Sequence, residues 1–275
     1  MPTSSTALVT GASAGIGAVY ADRLARRGHD LILVARDEAR LRSLADRIRT
    51  TTGRNVDVMR ADLTCREDLL AVEQRLSTDT KIGMLVNNAG VAAMGTILDN
   101  EADRLQSLVE LNVVAPLRLS RAAAEGFAAR RNGTLINVAS VLALAPELFN
   151  GTYSGTKAFL LNLSLSLDKE LKDKGVRVQA VLPGATRTEI WGKAGVDVAN
   201  LPAEMIMEVD EMVDAALSGL DQGELVTIPS LPDAGDWQRY EAARQALGPN
   251  LSRKYAAARY DTKGPKDDSD GDSNV

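Results

Sequence analysis

The chain has 275 residues, 45% hydrophobic and 25% charged, which suits one globular domain that buries most of its apolar surface. The formal net charge of −5 argues against nucleic acid as a partner, because phosphate binding requires a basic face. The single cysteine, Cys65, excludes an internal disulfide and suits a reducing cytosol, so we expect a cytoplasmic protein. No apolar run reaches membrane-spanning length, and the first strand starts within a few residues of the N-terminus. We therefore expect neither a membrane segment nor a signal peptide.

Short apolar runs alternate with stretches of helical periodicity along the chain. The runs predict strands at 7–9, 31–36, 56–61, 84–87, 134–138, 177–182 and 225–228, and the stretches predict helices at 15–27, 38–50, 66–76, 103–130, 153–174 and 205–220. Such alternation implies right-handed crossovers, and therefore a doubly wound parallel sheet of seven strands with helices on both faces. We assign residues 1–260 to this single domain. Residues 261–275 are almost all polar and are expected to form a disordered acidic tail.

A glycine-rich turn follows the first predicted strand. Gly11 allows a sharp turn, Gly15 allows the backbone to approach a pyrophosphate, and Gly17 permits close packing of helix on strand. The helix that begins here presents N–H groups and the positive end of its dipole to phosphates. The first two glycines are further apart than in the common G-x-G-x-x-G pattern, and an ordinary tight turn has the same composition.

Two polar side chains lie on one face of the helix predicted at 153–174. Tyr153 and Lys157 are four residues apart, which places a phenol beside an ammonium group. A fixed cation lowers the pKa of a tyrosine toward the neutral range, so that the phenol becomes a usable acid or base. Such pairs also occur by chance on surface helices, so this pair alone does not establish a site.

An asparagine and a proline interrupt the helix predicted at 103–130. Pro116 has no N–H for the carbonyl of Asn112, four residues earlier, and its ring kinks the helix. The Asn112 carbonyl is then free to hold a water molecule. A kinked helix with a satisfied polar residue is the alternative interpretation.

Five motifs occur in a fixed order between residues 6 and 230. They are Thr10-Gly-x-x-x-Gly-Ile-Gly17, Asn87-Asn88-Ala89-Gly90, Asn112, Ser140 with Tyr153-x-x-x-Lys157, and Pro183-Gly184. In this order the chain resembles the short-chain dehydrogenase/reductase family, in its compact, NADP-preferring branch. The resemblance implies a Rossmann fold and an enzyme that transfers hydride between a nicotinamide dinucleotide and a carbonyl or secondary alcohol of a small molecule.

The resemblance also implies a catalytic group. Tyr153 would be the general acid/base, Ser140 would orient and polarise the substrate oxygen, and Lys157 would tune Tyr153 and hold the nicotinamide ribose. A water on Asn112 would connect Lys157 to solvent. The alternative function is a sensor or scaffold that binds NADP without turnover. The presence of all four residues favours the enzyme.

The residue after the second strand indicates which dinucleotide binds. NAD-preferring members carry an aspartate there, whereas this chain has Arg36, whose guanidinium can bind a 2′-phosphate and stack on adenine. We therefore favour NADP (NADPH) over NAD; alternatively, Arg36 only starts a solvated helix. Asp62 would accept the adenine amino group. The resemblance assigns cofactor binding to Gly11, Ser13, Gly15, Ile16, Gly17, Arg36, Asp62, Leu63, Asn88, Ala89, Gly90, Tyr153, Lys157, Pro183, Gly184, Thr186 and Thr188.

The substrate region and the subunit interface are less well defined by the sequence. A lid is expected at about 189–220, and its apolar residues suggest a hydrophobic substrate, although they would also suit a helix packed on the sheet. These residues are Trp191, Val196, Leu201, Met205, Ile206 and Met207.

The resemblance implies a homodimer or homotetramer formed through helices 103–130 and 153–174. These helices offer Ala122, Ala123, Phe127, Phe159 and Leu163, which would also suit packing within the monomer. No cluster has metal-ligand spacing.

Overall fold

Seven parallel strands form one sheet in the computed structural model, which describes residues 5–189 and 202–260. The strands are β1 (Thr6–Thr10), β2 (Asp30–Ala35), β3 (Val56–Arg60), β4 (Ile82–Asn87), β5 (Gly133–Val138), β6 (Val176–Val181) and β7 (Val226–Thr227). Their order across the sheet is β3-β2-β1-β4-β5-β6-β7. The order reverses between β1 and β4, which is where ligands bind in sheets of this kind. The predicted fold class is confirmed.

Helices cover both faces of the sheet. They are α1 (Gly15–Arg26), α2 (Glu38–Thr52), α3 (Arg66–Thr78), α4 (Ala102–Val109), α5 (Ala115–Arg130), α6 (Gly151–Leu171) and α7 (Val209–Gln222). A further helix, α8 (Ala234–Ala246), follows the last strand in the chain. The prediction of one helix over 103–130 is corrected, because a π-helical turn, Glu110–Val114, joins α4 to α5. The sequence did not predict α8. Among the helices in the described ranges, none has the length and apolar character needed to cross a membrane.

The strands are apolar on both sides because each side of the sheet carries its own core. The neighbouring residues Leu8 and Val9 are fully buried on opposite faces, as the period of a strand requires. Val9 belongs to a cluster with Leu24 of α1 and Met212 of α7, whereas Leu8 belongs to a cluster with Phe127 of α5. Burying each such large side chain contributes about 1.5–3 kcal/mol.

Three of the five residues predicted for a subunit interface lie inside the monomer. Ala122, Ala123 and Phe127 are at most 6% exposed and pack in the core between the sheet and its helices. For these three residues the alternative, packing within the monomer, is therefore correct, because the Ala-rich side of α5 is the side that packs on the sheet. Leu163 also packs against this core, and Phe159 is only half-buried.

The chain divides into two compact units, Met1–Ser230 and Leu231–Val275. The first contains the whole sheet with α1 to α7. The second contains α8, where Trp237 stacks on Tyr240 with ring centroids 5.3 Å apart and no described residue of the helix is buried. The single-domain assignment of residues 1–260 stays a prediction. The predicted tail, 261–275, lies outside the described residues.

Candidate active site

The glycine turn after β1 depends on the absence of side chains. Gly11 and Gly15 have φ of +66° and +53°, values that residues with a Cβ rarely adopt. A Cβ on Gly17 would collide with the carbonyl oxygen of Gly11, and a Cβ on Gly11 would lie 2.8 Å from Asn88 Nδ2. Ala14, the residue before α1, offers no capping side chain. The turn therefore leaves the N-terminus of α1 without a side-chain cap, which is the arrangement that phosphate binding requires.

Asn88 fastens the end of β4 to this turn. Its Nδ2 donates to the carbonyl oxygens of Thr10 and Gly11 at 2.9 and 3.3 Å, and the Thr10 hydroxyl accepts from the backbone N–H groups of Asn88 and Ala89 at 3.0 Å. These hydrogen bonds hold the end of β4 against β1 and the glycine turn. A Cβ on Gly90 would lie 3.2 Å from Asn112 Oδ1 and 3.6 Å from Lys157 Nζ, so the same segment passes close to the predicted catalytic residues.

Arg36 and Asp62 lie together beyond β2 and β3. The Arg36 side chain is 66% exposed, and its Nη1 is 3.9 Å from Asp62 Oδ2. Burial acts to raise the pKa of Asp62, but hydrogen bonds from Thr64 and the charge of Arg36 hold that pKa below its ordinary value. Asp62 is therefore an ionised acceptor. Leu63 is buried in the core, so only its backbone can face a ligand.

Tyr153 and Lys157 face the end of β5. Lys157 is 5% exposed, donates from Nζ to the Val138 carbonyl oxygen at 3.0 Å, and has that atom 5.6 Å from the centroid of the Tyr153 ring. Burial lowers the pKa of Lys157 to about 8. Burial also raises the pKa of Tyr153 to about 12, which its hydrogen bond with Ser140 offsets only in part. This direction is opposite to the sequence-based expectation, because burial disfavours the charged phenolate more than the Ser140 hydrogen bond favours it.

Ser140 is fixed at the junction of two strand ends. Its hydroxyl accepts from the Leu142 N–H at 3.2 Å and is largely buried. The following residue, Val141, donates its N–H to the Pro183 carbonyl oxygen at 3.0 Å. The structure thus brings Ser140 next to both Tyr153 and the Pro183-Gly184 segment.

Asn112 lies in the π-helical turn and is 1% exposed. Its Oδ1 accepts from the Val91 N–H at 3.0 Å, and its Nδ2 donates to the Val91 carbonyl at 2.9 Å and to Thr156 Oγ1 at 3.2 Å. Thr156 in turn donates to the Tyr153 carbonyl at 2.7 Å. The predicted interruption before Pro116 is confirmed as a π turn, and the side chain is satisfied. The water on the Asn112 carbonyl stays a prediction.

The segment after Pro183-Gly184 lies over the glycine turn. Thr186 pairs with Met207 in a parallel bridge, and the Thr188 methyl group is 3.4 Å from where a Cβ on Gly15 would be. Arg40 Nη1 binds both carboxylate oxygens of Glu189 at 2.9 Å, which no local pattern indicates because the two residues are 149 positions apart. Of the predicted lid residues, Met205 is 64% exposed, Ile206 is half-buried and Met207 packs on the core. Trp191, Val196 and Leu201 lie outside the described residues.

One further residue of the site was missed. Asn150 caps α6, and its Oδ1 accepts from the N–H groups of Thr152 and Tyr153. Asparagine before a helix is a recognised capping signal, and the sequence contains it.

Within 5–189 and 202–260, no group of three or more His, Cys, Asp or Glu residues could hold a metal ion.

A family model described as short chain dehydrogenase matches residues 5–198. The chain belongs to the short-chain dehydrogenase family. Two solved structures are similar to this short-chain dehydrogenase over 93% of its length. A short-chain dehydrogenase from Sphingobium yanoikuyae in complex with NADPH has 52% identity and a TM-score of 0.91, over 99% of that chain. A bulky-bulky ketone specific alcohol dehydrogenase from Comamonas testosteroni has 48% identity and a TM-score of 0.86, over 98% of that chain.

A human relative is more distant. 17-Beta-hydroxysteroid dehydrogenase type 3 of Homo sapiens is 33% identical over 200 residues, which is 72% of this short-chain dehydrogenase. The match covers 64% of the length of the human protein.

Proposed function

We propose that this protein is an NADPH-dependent reductase of hydrophobic ketones, with Tyr153 as the proton donor. The observation that carries the proposal is the grouping of three side chains at one strand end. Ser140 is hydrogen-bonded to Tyr153, and the Lys157 ammonium lies 5.6 Å from the tyrosine ring. Membership of an oxidoreductase family gives this grouping its chemical meaning.

The residues around the glycine turn fit a nicotinamide dinucleotide with a 2′-phosphate. The turn at Gly11 to Gly17 would hold the pyrophosphate, and the exposed fork of Arg36 would bind the 2′-phosphate. Asp62 would accept the adenine amino group, and the segment 183–188 would hold the carboxamide. When bound, the reduced cofactor supplies a hydride to the carbonyl carbon. The similarity to a structure in complex with NADPH supports this preference.

The acid–base chemistry follows from the burial of two side chains. With a pKa of about 12, Tyr153 carries its proton at neutral pH and can give it to the substrate oxygen. Ser140 would donate a hydrogen bond to that oxygen as charge develops. Lys157, with a pKa of about 8, is mostly protonated at pH 7 and stabilises the phenolate that remains. A water on the Asn112 carbonyl would return the proton through Lys157.

Apolar side chains near Tyr153 support a hydrophobic substrate. Phe149 packs edge-on against Tyr153, with ring centroids 5.4 Å apart, and Leu148 is 71% exposed. Ile97 and Leu98 are also exposed and follow Gly95, which is hydrogen-bonded to the start of α6. Since one similar enzyme is described as bulky-bulky ketone specific, we infer a ketone with a bulky apolar substituent on each side.

A panel of ketones tests the proposal, with loss of nicotinamide absorbance as the measurement. We expect turnover of diaryl or aryl-alkyl ketones with NADPH and much slower turnover of acetone, which cannot fill an apolar site. NADPH binding without turnover of any member of the panel would instead favour the sensor or scaffold. The absence of both binding and turnover would contradict both functions.

A further inference from the structure

The buried Asn150 side chain connects the start of α6 with the loop that follows β4. Its Oδ1 accepts from Thr152 N at 3.0 Å and Tyr153 N at 3.2 Å, while its Nδ2 donates to the Gly95 carbonyl oxygen at 2.9 Å. The residue is only 4% exposed. Asparagine carries a carbonyl acceptor and an amide donor on one planar group, so a single side chain makes both connections.

A second asparagine holds the other end of the same loop. The side chain of Asn112 brackets the backbone of Val91, accepting from its N–H and donating to its carbonyl oxygen. Residues 91–95 are therefore fixed at the start by Asn112 and at the end by Asn150. Both asparagines also connect to Tyr153, Asn150 at its N–H and Asn112 at its carbonyl oxygen through the Thr156 hydroxyl.

The chain reaches this loop directly from the reacting groups. A Cβ on Gly90, the residue before the loop, would lie 3.6 Å from Lys157 Nζ, and the loop leads into the exposed apolar residues Ile97 and Leu98. A shift of this loop relative to α6 would change the wall of the substrate site while leaving Tyr153, Ser140 and Lys157 on their own elements.

We propose that Asn150 is a positioning residue that holds the substrate-facing loop, 91–95, against the helix that carries Tyr153. Oδ1, the capping half of the side chain, fixes the start of the helix that carries Tyr153, and Nδ2, the amide half, fixes the loop. Loss of the amide half alone should weaken ketone binding with little effect on the chemical step. The kinetic part of this inference rests on the proposed reductase function.

The two halves can be separated by substitution. Asn150→Ser keeps an oxygen that can cap the helix. The serine side chain is too short to reach the Gly95 carbonyl oxygen and has no amide group to donate to it. We expect hydrogen–deuterium exchange in the peptide 92–99 to increase and KM for a ketone substrate to rise roughly two- to tenfold, the range of one hydrogen bond. The kcat and the NADPH dissociation constant should stay within about twofold. Asn150→Ala removes both halves and should also lower kcat.

A matched control removes a cap elsewhere. Asp233 caps α8 through a hydrogen bond from Gly235 N, and Asp233→Ala should leave KM, kcat and loop exchange unchanged. If hydrogen–deuterium exchange of the loop stays native in Asn150→Ser, Asn150 does not hold the loop. If exchange rises in this variant but KM for the ketone stays native, Asn150 does not position the loop for substrate binding. A native chain that binds NADPH but reduces no ketone would contradict the proposed function and the kinetic role, while the exchange measurement would still decide whether Asn150 holds the loop.

Discussion

At the scale of single residues, burial separates the proton affinities of Tyr153 and Lys157 in a way that suits reduction. Tyr153 keeps its proton throughout the neutral range. Lys157, whose pKa is lowered to about 8, loses its charge only when the pH rises above that value. The pair can thus donate a proton and stabilise the resulting phenolate at the same pH.

The first prediction concerns the pH dependence of ketone reduction. The lowered pKa of Lys157 means that its ammonium is present below about pH 8 and lost above it. Because this charge stabilises the phenolate, kcat should be level below pH 8 and fall at higher pH. The measurement is kcat against pH at saturating NADPH and ketone. A kcat that stays level to pH 10 would show that the Lys157 charge is not required.

The second prediction concerns cofactor preference. Arg36→Ala should weaken NADPH binding roughly ten- to a hundredfold, because it removes a charge-assisted contact of ~1.5–3 kcal/mol, and should leave NADH binding unchanged. Arg40→Ala is the matched control, since the Arg40 guanidinium is bound to Glu189 and its loss should preserve the preference. Dissociation constants for both dinucleotides decide the matter. Equal affinities in the native chain would contradict the role of Arg36.

At the scale of elements, the glycine turn is the part of the site most constrained by packing. Gly17→Ala should destabilise the chain by about 1–3 kcal/mol and reduce NADPH binding, because the new Cβ collides with the Gly11 carbonyl oxygen. Gly53→Ala is the control: its φ of +66° makes alanine cost roughly 1–2 kcal/mol, but its Cβ would meet no atom within 4 Å. Chemical unfolding and NADPH titration compare the two. Native NADPH affinity in Gly17→Ala would show that the turn tolerates a side chain.

The elements also show what the sequence can and cannot predict. The seven strands, and the helices that pack on the sheet, were predictable because the spacing of apolar residues within each segment indicates its type. The π turn was foreseen only as a kink, since Pro116 indicates a lost hydrogen bond but not how the chain compensates. The Arg40–Glu189 pair and the Asn150–Gly95 connection join residues far apart in sequence, so no local pattern indicates them. The Ala-rich side of α5 was equally compatible with a subunit interface and with the core.

At the scale of the whole molecule, we propose a homodimer or homotetramer formed through α5 and α6. With Ala122, Ala123 and Phe127 in the core, the large apolar residue left exposed on α5 is Leu117, at 42%. Leu117→Glu should therefore weaken association without unfolding the chain, as light scattering at micromolar concentration and circular dichroism would measure. A native chain that is only monomeric would contradict the proposal.

The central claim is that Tyr153 protonates the substrate oxygen, and a variant without its hydroxyl tests this most directly. Lys157→Ala should lower both kcat and NADPH affinity, because it removes the charge beside Tyr153 and the proposed ribose contact. Tyr153→Phe keeps the ring and its packing on Phe149. The decisive measurement is kcat of Tyr153→Phe with NADPH and a ketone that the native chain reduces. We predict a loss of at least ~10²-fold with NADPH affinity preserved, and turnover near the native rate would contradict the account.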